Sequence, residues 1–347
     1  MDMMSDPLVS VLIPAYNCAL FIEQAIYSII SQTYKNIEVL VCDDCSTDQT
    51  LDVLRRMSTL DTRIKVYHNS TNKGKVLTIN KLFNISQGEY ISFLDADDYL
   101  ANDKIQRQVE CFIDNPNLGL VGCNYASVST NGMISQVSNL PLLDHDIRNY
   151  IMISRISDFC FCCASVMIPK KVYSVVGGYR HFFIHCCIGE DIDWILRILE
   201  KYPVRNIDYV GYFYRFHSNS LTRRVYFSPR DRHMHDIVAF LAKERKEVGV
   251  DFVETQNMEE YRRCIAEISL PYIQDKGLLY RKVIIEYSIN KNRKMAFMYF
   301  RRLLKIERNC LNICKVFFLM LILLYTRNSY LIALKKIFNL SHLSSHI

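Results

Sequence analysis

No unbroken apolar run in this 347-residue chain is long enough to span a bilayer. Residues 316–325 (VFFLMLILLY) form an unbroken apolar run of ten, where a spanning helix needs about 20. The N-terminal MDMMSDPLVSV carries acidic residues and no apolar region of signal length, so no secretory leader is expected. No Gly-x-Gly-x-x-Gly follows the first apolar run, and no Gly-rich loop ends in Gly-Lys-Ser/Thr. These absences exclude the dinucleotide fingerprint and the glycine phosphate cradle, so any bound phosphate would be held through a metal instead. Cysteine is plentiful at 13, but paired zinc-ligand spacing is missing. Cys42 and Cys45 stand in a C-x-x-C spacing, and Cys160, Cys162, Cys163, Cys186 and Cys187 lie near His181 and His185. Without an export signal, this odd number reads as reduced thiols.

What is present is an ordinary globular balance, with 50% hydrophobic and 22% charged residues. The net charge of +6 hides an asymmetry. Residues 278–347 hold 13 Lys or Arg against Glu286 and Glu307, while the rest holds 29 basic and 34 acidic residues. Two regions with different surroundings are expected, dividing between residues 220 and 280.

Residues 8–14 (LVSVLIP) and 37–42 (IEVLVC) are continuous apolar runs, the pattern of central parallel strands. Helical spacing follows each, with Ser46 or Thr47 as the expected N-cap of the second helix. A shorter strand at 64–68, a turn at Asn72-Lys73-Gly74 and a helix over 75–86 lead to YISFLDADDYL, residues 90–100. Alternating strands and helices imply right-handed crossovers, a parallel sheet and a ligand site at the strands' carboxyl ends. Polar residues gather there: Tyr16 and Asn17, Asp43 and Asp44, then Asp95 and Asp97. The arrangement describes a nucleotide pocket. Asp95, Asp97 and Asp98 suit Mg²⁺ or Mn²⁺ with substrate phosphates, whereas a helix cap would need one Asp. Further on, Gly189-Glu190-Asp191-Ile192-Asp193 opens a helical stripe through Trp194. Its carboxylates fit capping or a general base equally well.

The ordered segments VSVLIPAYN, VCDDCSTDQT, NKGK, GEYISFLDADDYL, VGGYR and GEDID resemble a family 2 glycosyltransferase of the GT-A fold, over about residues 7–220. The resemblance implies an α/β, Rossmann-like, mixed and mostly parallel sheet flanked by helices, with a helical C-terminal extension. It sets the GT-A domain at residues 1–225 and a helical basic region at 226–347. Pro14, Tyr16, Asn17 and Asp43, with Asp44, would line the base and ribose of a nucleotide diphosphate sugar, a UDP-sugar by expectation. Asn72 and Lys75 would close over the nucleotide. Asp95 and Asp97 match the DXD motif, with Asp95 toward the ribose and Asp97 toward Mn²⁺ or Mg²⁺. Asp191 matches the general base of inverting members, and Arg215 and His217 a motif closing on the diphosphate and metal. Cys42 and Cys45 depart from the usual Val and Gly, and the processive-synthase Gln-x-x-Arg-Trp is absent, the only tryptophan being Trp194.

The implied function is single-sugar transfer to a hydroxyl of a glycan or lipid-linked glycan in cell-surface polysaccharide synthesis, such as lipopolysaccharide or capsule. A polyprenyl-phosphate acceptor and a catalytically inactive nucleotide-sugar-binding scaffold are the alternatives.

The run at 316–325 is flanked by Arg301, Arg302, Lys305, Arg308, Lys335 and Lys336. Basic, apolar-faced helices lie in membrane interfaces and favour anionic lipid. The expectation is a cytoplasmic chain held peripherally on the inner membrane's cytoplasmic face; a packed C-terminal helix or partner coat is the alternative. Long aliphatic runs without a recognised module argue against nucleic acid.

Overall fold

A computed structural model of the chain describes residues 6–153, 159–185, 188–217, 220 and 225–326. Two compact units divide it, Met1–His217 and Ser218–Ile347.

The first unit begins with β1 (Val9–Ala15), α1 (Ile22–Ile30), β2 (Ile37–Asp43), α2 (Thr50–Leu60), β3 (Ile64–His68), α3 (Lys75–Ile85), β4 (Tyr90–Phe93) and β5 (Tyr99–Leu100). It continues through α4 (Lys104–Asp114), β6 (Leu120–Ser129), β7 (Ile134–Val137), α5 (Asp144–Ile153), β8 (Met167–Pro169), α6 (Lys170–Val176), α7 (Glu190–Leu199) and β9 (Val204–Phe216). One mixed sheet runs β3-β2-β1-β4-β8-β6-β9-β5, with β7 on β6. β3, β2, β1 and β4 are mutually parallel, as are β6 and β9, while β8 joins β4 and β6 antiparallel. Every residue of β2 is buried, because a parallel strand covered on both faces needs apolar residues on each. Register brings the carboxyl ends level: Ala15 pairs Asp43, and Asp43 pairs His68. The chain therefore delivers polar residues to one edge just where the apolar runs stop.

Several expectations are revised. Asp48, rather than Ser46 or Thr47, serves α2: its Oδ1 accepts the Thr50 N–H at 3.0 Å. Ser46 and Thr47 instead bind Asn17, fastening the loops after β1 and β2 together. The segment 148–165, unassigned by pattern, contains the end of α5 and a 3₁₀ turn at Cys163–Ser165; residues 154–158 lie outside the described ones. His185 is described, whereas Cys186, Cys187, Lys335 and Lys336 lie outside the described residues.

The second unit is helical among its described residues: α8 (Pro229–Arg232), α9 (Met234–Val248), α10 (Met258–Gln274), α11 (Leu278–Ile289), α12 (Arg293–Leu303) and α13 (Cys310–Tyr325). Asn257, Asn292 and Asn309 cap α10, α12 and α13 by accepting N–H groups of the first turn. α11, α12 and α13 share a core of Ile284, Phe300, Leu303, Met320 and Leu324. Within the run at 316–325, Val316, Met320, Leu323 and Leu324 are buried, so much of it is internal packing. Among the described residues no helix is long and apolar enough to cross a membrane.

Candidate active site

The site lies at the carboxyl ends of β1, β2 and β4, completed by the N-termini of α3 and α7. Leu12, Pro14, Lys75, Ile79, Asp95, Cys163, Tyr179 and Asp191 are among the residues lining one pocket. Pro14, Lys75, Asp95 and Asp191, four of the residues expected from the sequence, thus meet.

Glycine makes the two helix entries possible. Gly74 (φ 83°) precedes α3 and Gly189 (φ 80°) precedes α7. A side chain disfavours such positive φ, and these turns aim Lys75 and the Glu190-Asp191 pair at the pocket. Lys75 Nζ lies 2.9 Å from Asp95 Oδ1. Burial pulls the Lys75 pKa down, but Asp95, Glu190, Tyr179 and Asp191 more than offset it, holding the amine well above its ordinary value. Asp191 Oδ1 accepts the Ile192 N–H at 2.8 Å. Cys163 also hydrogen-bonds the Asp191 carboxylate; burial first, then Asp191, pushes that thiol well up.

Glu190 behaves differently. It is 3% exposed, and its Oε2 has no hydrogen-bond partner. Burial first, then the Asp191 charge, raises its pKa to about 8 against the pull of Lys75. Asp193 is fully buried between Arg180 and Arg197, whose guanidinium also donates to the Val176 and Gly178 carbonyls. It fixes α7 to the turn after α6 and does not open on the pocket.

The cluster after β4 separates by role. Asp95 faces Lys75. Asp97 Oδ2 lies 2.9 Å from His217 Nε2, and both side chains retain some exposure. Asp98 turns inward: its Oδ1 accepts the Arg215 N–H at 2.6 Å and its Oδ2 the Tyr212 hydroxyl at 2.6 Å. Burial, then Asp97 and Asp95, raises its pKa well above the carboxylate range. Arg215 Nε donates to the Asp97 carbonyl at 2.8 Å, seating the end of β9 against this loop. Among the described residues no three His, Cys, Asp or Glu side chains converge to hold a metal.

At the β2 end, Asp43 is fully buried. Its Oδ2 takes the Ser46 N–H and lies 3.0 Å from His68 Nδ1, while Oδ1 is unpartnered. Asp44 is engaged by the following loop, accepting from Asn69 Nδ2 and the Lys73 and Gly74 N–H groups at 2.7–2.8 Å. Asn72 is exposed and accepts the Gly74 N–H. Tyr16 is half-exposed, and Asn17 adopts φ 49°. Pattern reading missed His68, Cys163, Tyr179 and the burial of Glu190. For His68 the signal was available, since it ends a strand beside Asp43; for Cys163 there was none.

A mixed sheet with carboxylates at the parallel strands' ends and at the α7 N-terminus forms an acidic α/β site at one edge of the sheet. The Glycosyl transferase family 2 model matches residues 10–172. A glucosyltransferase of Escherichia coli, UDP-Glc:alpha-D-GlcNAc-diphosphoundecaprenol beta-1,3-glucosyltransferase WfaP, is 33% identical over 217 residues, covering 62% of this chain and 80% of that protein. The chain belongs to glycosyltransferase family 2. An uncharacterized glycosyltransferase of Haemophilus influenzae is 36% identical over 129 residues, 37% of this chain; the match spans about half, 51%, of that relative. S. aureus TarS 1-349, solved with UDP-GlcNAc, shares the fold at TM-score 0.54 and 18% identity, covering 85% of this chain and 90% of that one.

Proposed function

We propose that this chain moves one sugar from a UDP-linked donor to a hydroxyl of a membrane-linked glycan, with inversion, in cell-surface polysaccharide synthesis. The observation that carries the proposal is the meeting of Asp191, Lys75 and Asp95 in one pocket at the strand ends. The relative WfaP, whose name specifies a UDP-glucose donor and a diphosphoundecaprenol-linked acceptor, supports the donor and acceptor classes.

In this reading Asp191 accepts the proton of the acceptor hydroxyl as its oxygen attacks the anomeric carbon from the face opposite the diphosphate. One displacement inverts that centre. Lys75 places positive charge beside Asp95, and Pro14 shapes the pocket wall. Asp97 and His217 would hold Mn²⁺ or Mg²⁺: a partly exposed carboxylate and an imidazole 2.9 Å apart suit an ion whose remaining ligands are water and diphosphate oxygens. A bound cation would supply charge neutralisation for the departing diphosphate.

Asp191→Asn tests the proposal. It should lower transfer by at least about 10²-fold, the usual contribution of a general base, with UDP-sugar affinity changed less than about twofold. Near-normal turnover would reduce Asp191 to a helix-end residue, since Asn serves a helix N-terminus about as well.

A further inference from the structure

α13 presents its apolar residues on two opposite sides. Val316, Met320, Leu323 and Leu324 face the core of the second unit. Leu311, Lys315, Phe318, Ile322 and Tyr325 are exposed, spaced by four, three, four and three residues. At 100° per residue they fall within an arc of about 80°. A helix on an ordinary water-facing surface carries polar residues there. Here the outward stripe holds four large apolar side chains, with Phe318 64% and Tyr325 63% exposed.

The charge beside this stripe is of one sign. Lys315 lies within it, and exposed Lys305 and Arg308 precede it in the α12–α13 connection. The Arg293 guanidinium sits 4.7 Å from the Tyr325 ring centre at its far end. Glu307, the acid in that connection, is largely buried and paired to Arg281, so it does not neutralise the surface. We propose that this stripe docks flat on an anionic phospholipid bilayer, the apolar side chains entering the headgroup boundary and the cations meeting lipid phosphates. α13 is too short to span: 16 residues at about 1.5 Å each reach about 24 Å, below the ~30 Å hydrocarbon core. A second copy is the poorer occupant, because stripe-on-stripe pairing would oppose cation to cation.

The experiment is flotation of the full chain with vesicles of equal phosphatidylglycerol and phosphatidylcholine, against phosphatidylcholine alone. Binding is expected to the anionic vesicles and to weaken with salt. Each surface cation contributes roughly 1 kcal/mol, so Lys305→Gln/Arg308→Gln/Lys315→Gln should lower partitioning on the order of 100-fold. Phe318→Ser/Ile322→Ser should lower it about tenfold or more. Both sets of residues are exposed, and an unchanged helical circular dichroism signal checks that the variants fold. Binding by both variants at wild-type strength overturns the proposal. So does a wild-type chain that ignores anionic vesicles, including one that self-associates through the stripe. Sugar transfer to a soluble acceptor is scored separately, so failure of the docking surface remains distinct from failure of the catalytic reading.

Discussion

Replacing Glu190 by Gln should make the first unit more stable, and increasingly so as pH rises. The folded chain buries this carboxyl with one oxygen unpartnered and lifts its pKa from an ordinary 4.5 to about 8. A raised carboxyl leaves stability intact below the unfolded pKa and removes it as pH rises toward the folded value, because the unfolded chain ionises first. At pH 5.5 the loss is about 1 kcal/mol, and at pH 8 it approaches ~4 kcal/mol. The difference between wild type and Glu190→Gln should therefore widen by about 3 kcal/mol over that interval. Trp194, the chain's only tryptophan, is buried one turn along the same helix and reports this unit's unfolding. Urea titrations followed by its fluorescence at pH 5.5, 6.5 and 8, on both proteins, provide the measurement; subtraction removes the other titrating groups. A constant difference across the series would refute the reasoning, showing that Lys75 keeps Glu190 ionised.

Asp97→Asn should weaken UDP binding in Mn²⁺ by about tenfold or more while leaving metal-free binding unchanged, by calorimetry; a wild type indifferent to Mn²⁺ would remove the metal role from Asp97 and His217. Lys104 is fully buried with Ser92 Oγ as a hydrogen-bond partner at 3.0 Å, and burial lowers its pKa to about 8. For a depressed amine, stability is full above the unfolded pKa and falls as pH drops toward the folded one, a loss of about 3 kcal/mol by pH 7. Lys104→Met should recover part of it, net of about 1 kcal/mol for the Ser92 hydroxyl left unpaired, and raise the Trp194 urea midpoint at pH 7; a lowered midpoint would show that the amine is well solvated or paired.

β1, β2 and β4 were legible because each is a mostly apolar run buried on both faces, while the shorter β3, exposed at Lys65 and His68, was marked by its Ile64, Val66 and Tyr67. In the other half of the sheet the apolar stretches at 118–125 and 164–168 mark β6 and β8, but β5, β7 and β9 were not legible. β9 interleaves Arg205, Asn206 and Asp208 with apolar residues and is only partly buried, so periodicity gives no clean signal. β7 is exposed at all four positions, and β5 has two residues; their existence depends on pairing to β6 and β9. Local sequence cannot announce a strand whose stability comes from its neighbours.

The site followed the same division between local and long-range information. Asp95, Asp97 and Asp98 look equivalent in sequence, yet the structure separates them by what lies opposite. Lys75 arrives from the start of α3, His217 from just beyond β9, and Tyr212 and Arg215 from within β9. Those partners are more than a hundred residues distant for Asp97 and Asp98. A carboxylate left facing solvent can meet a cation, whereas one meeting a tyrosine hydroxyl and a backbone N–H inside the protein is a structural acceptor. The same test separates Asp191, at the pocket wall, from Asp193, buried between two arginines two positions later. A count of carboxylates in a motif therefore marks where the chain assembles charge. What packs opposite, the start of α3 and the end of β9, decides which of them stays at the pocket and which is buried.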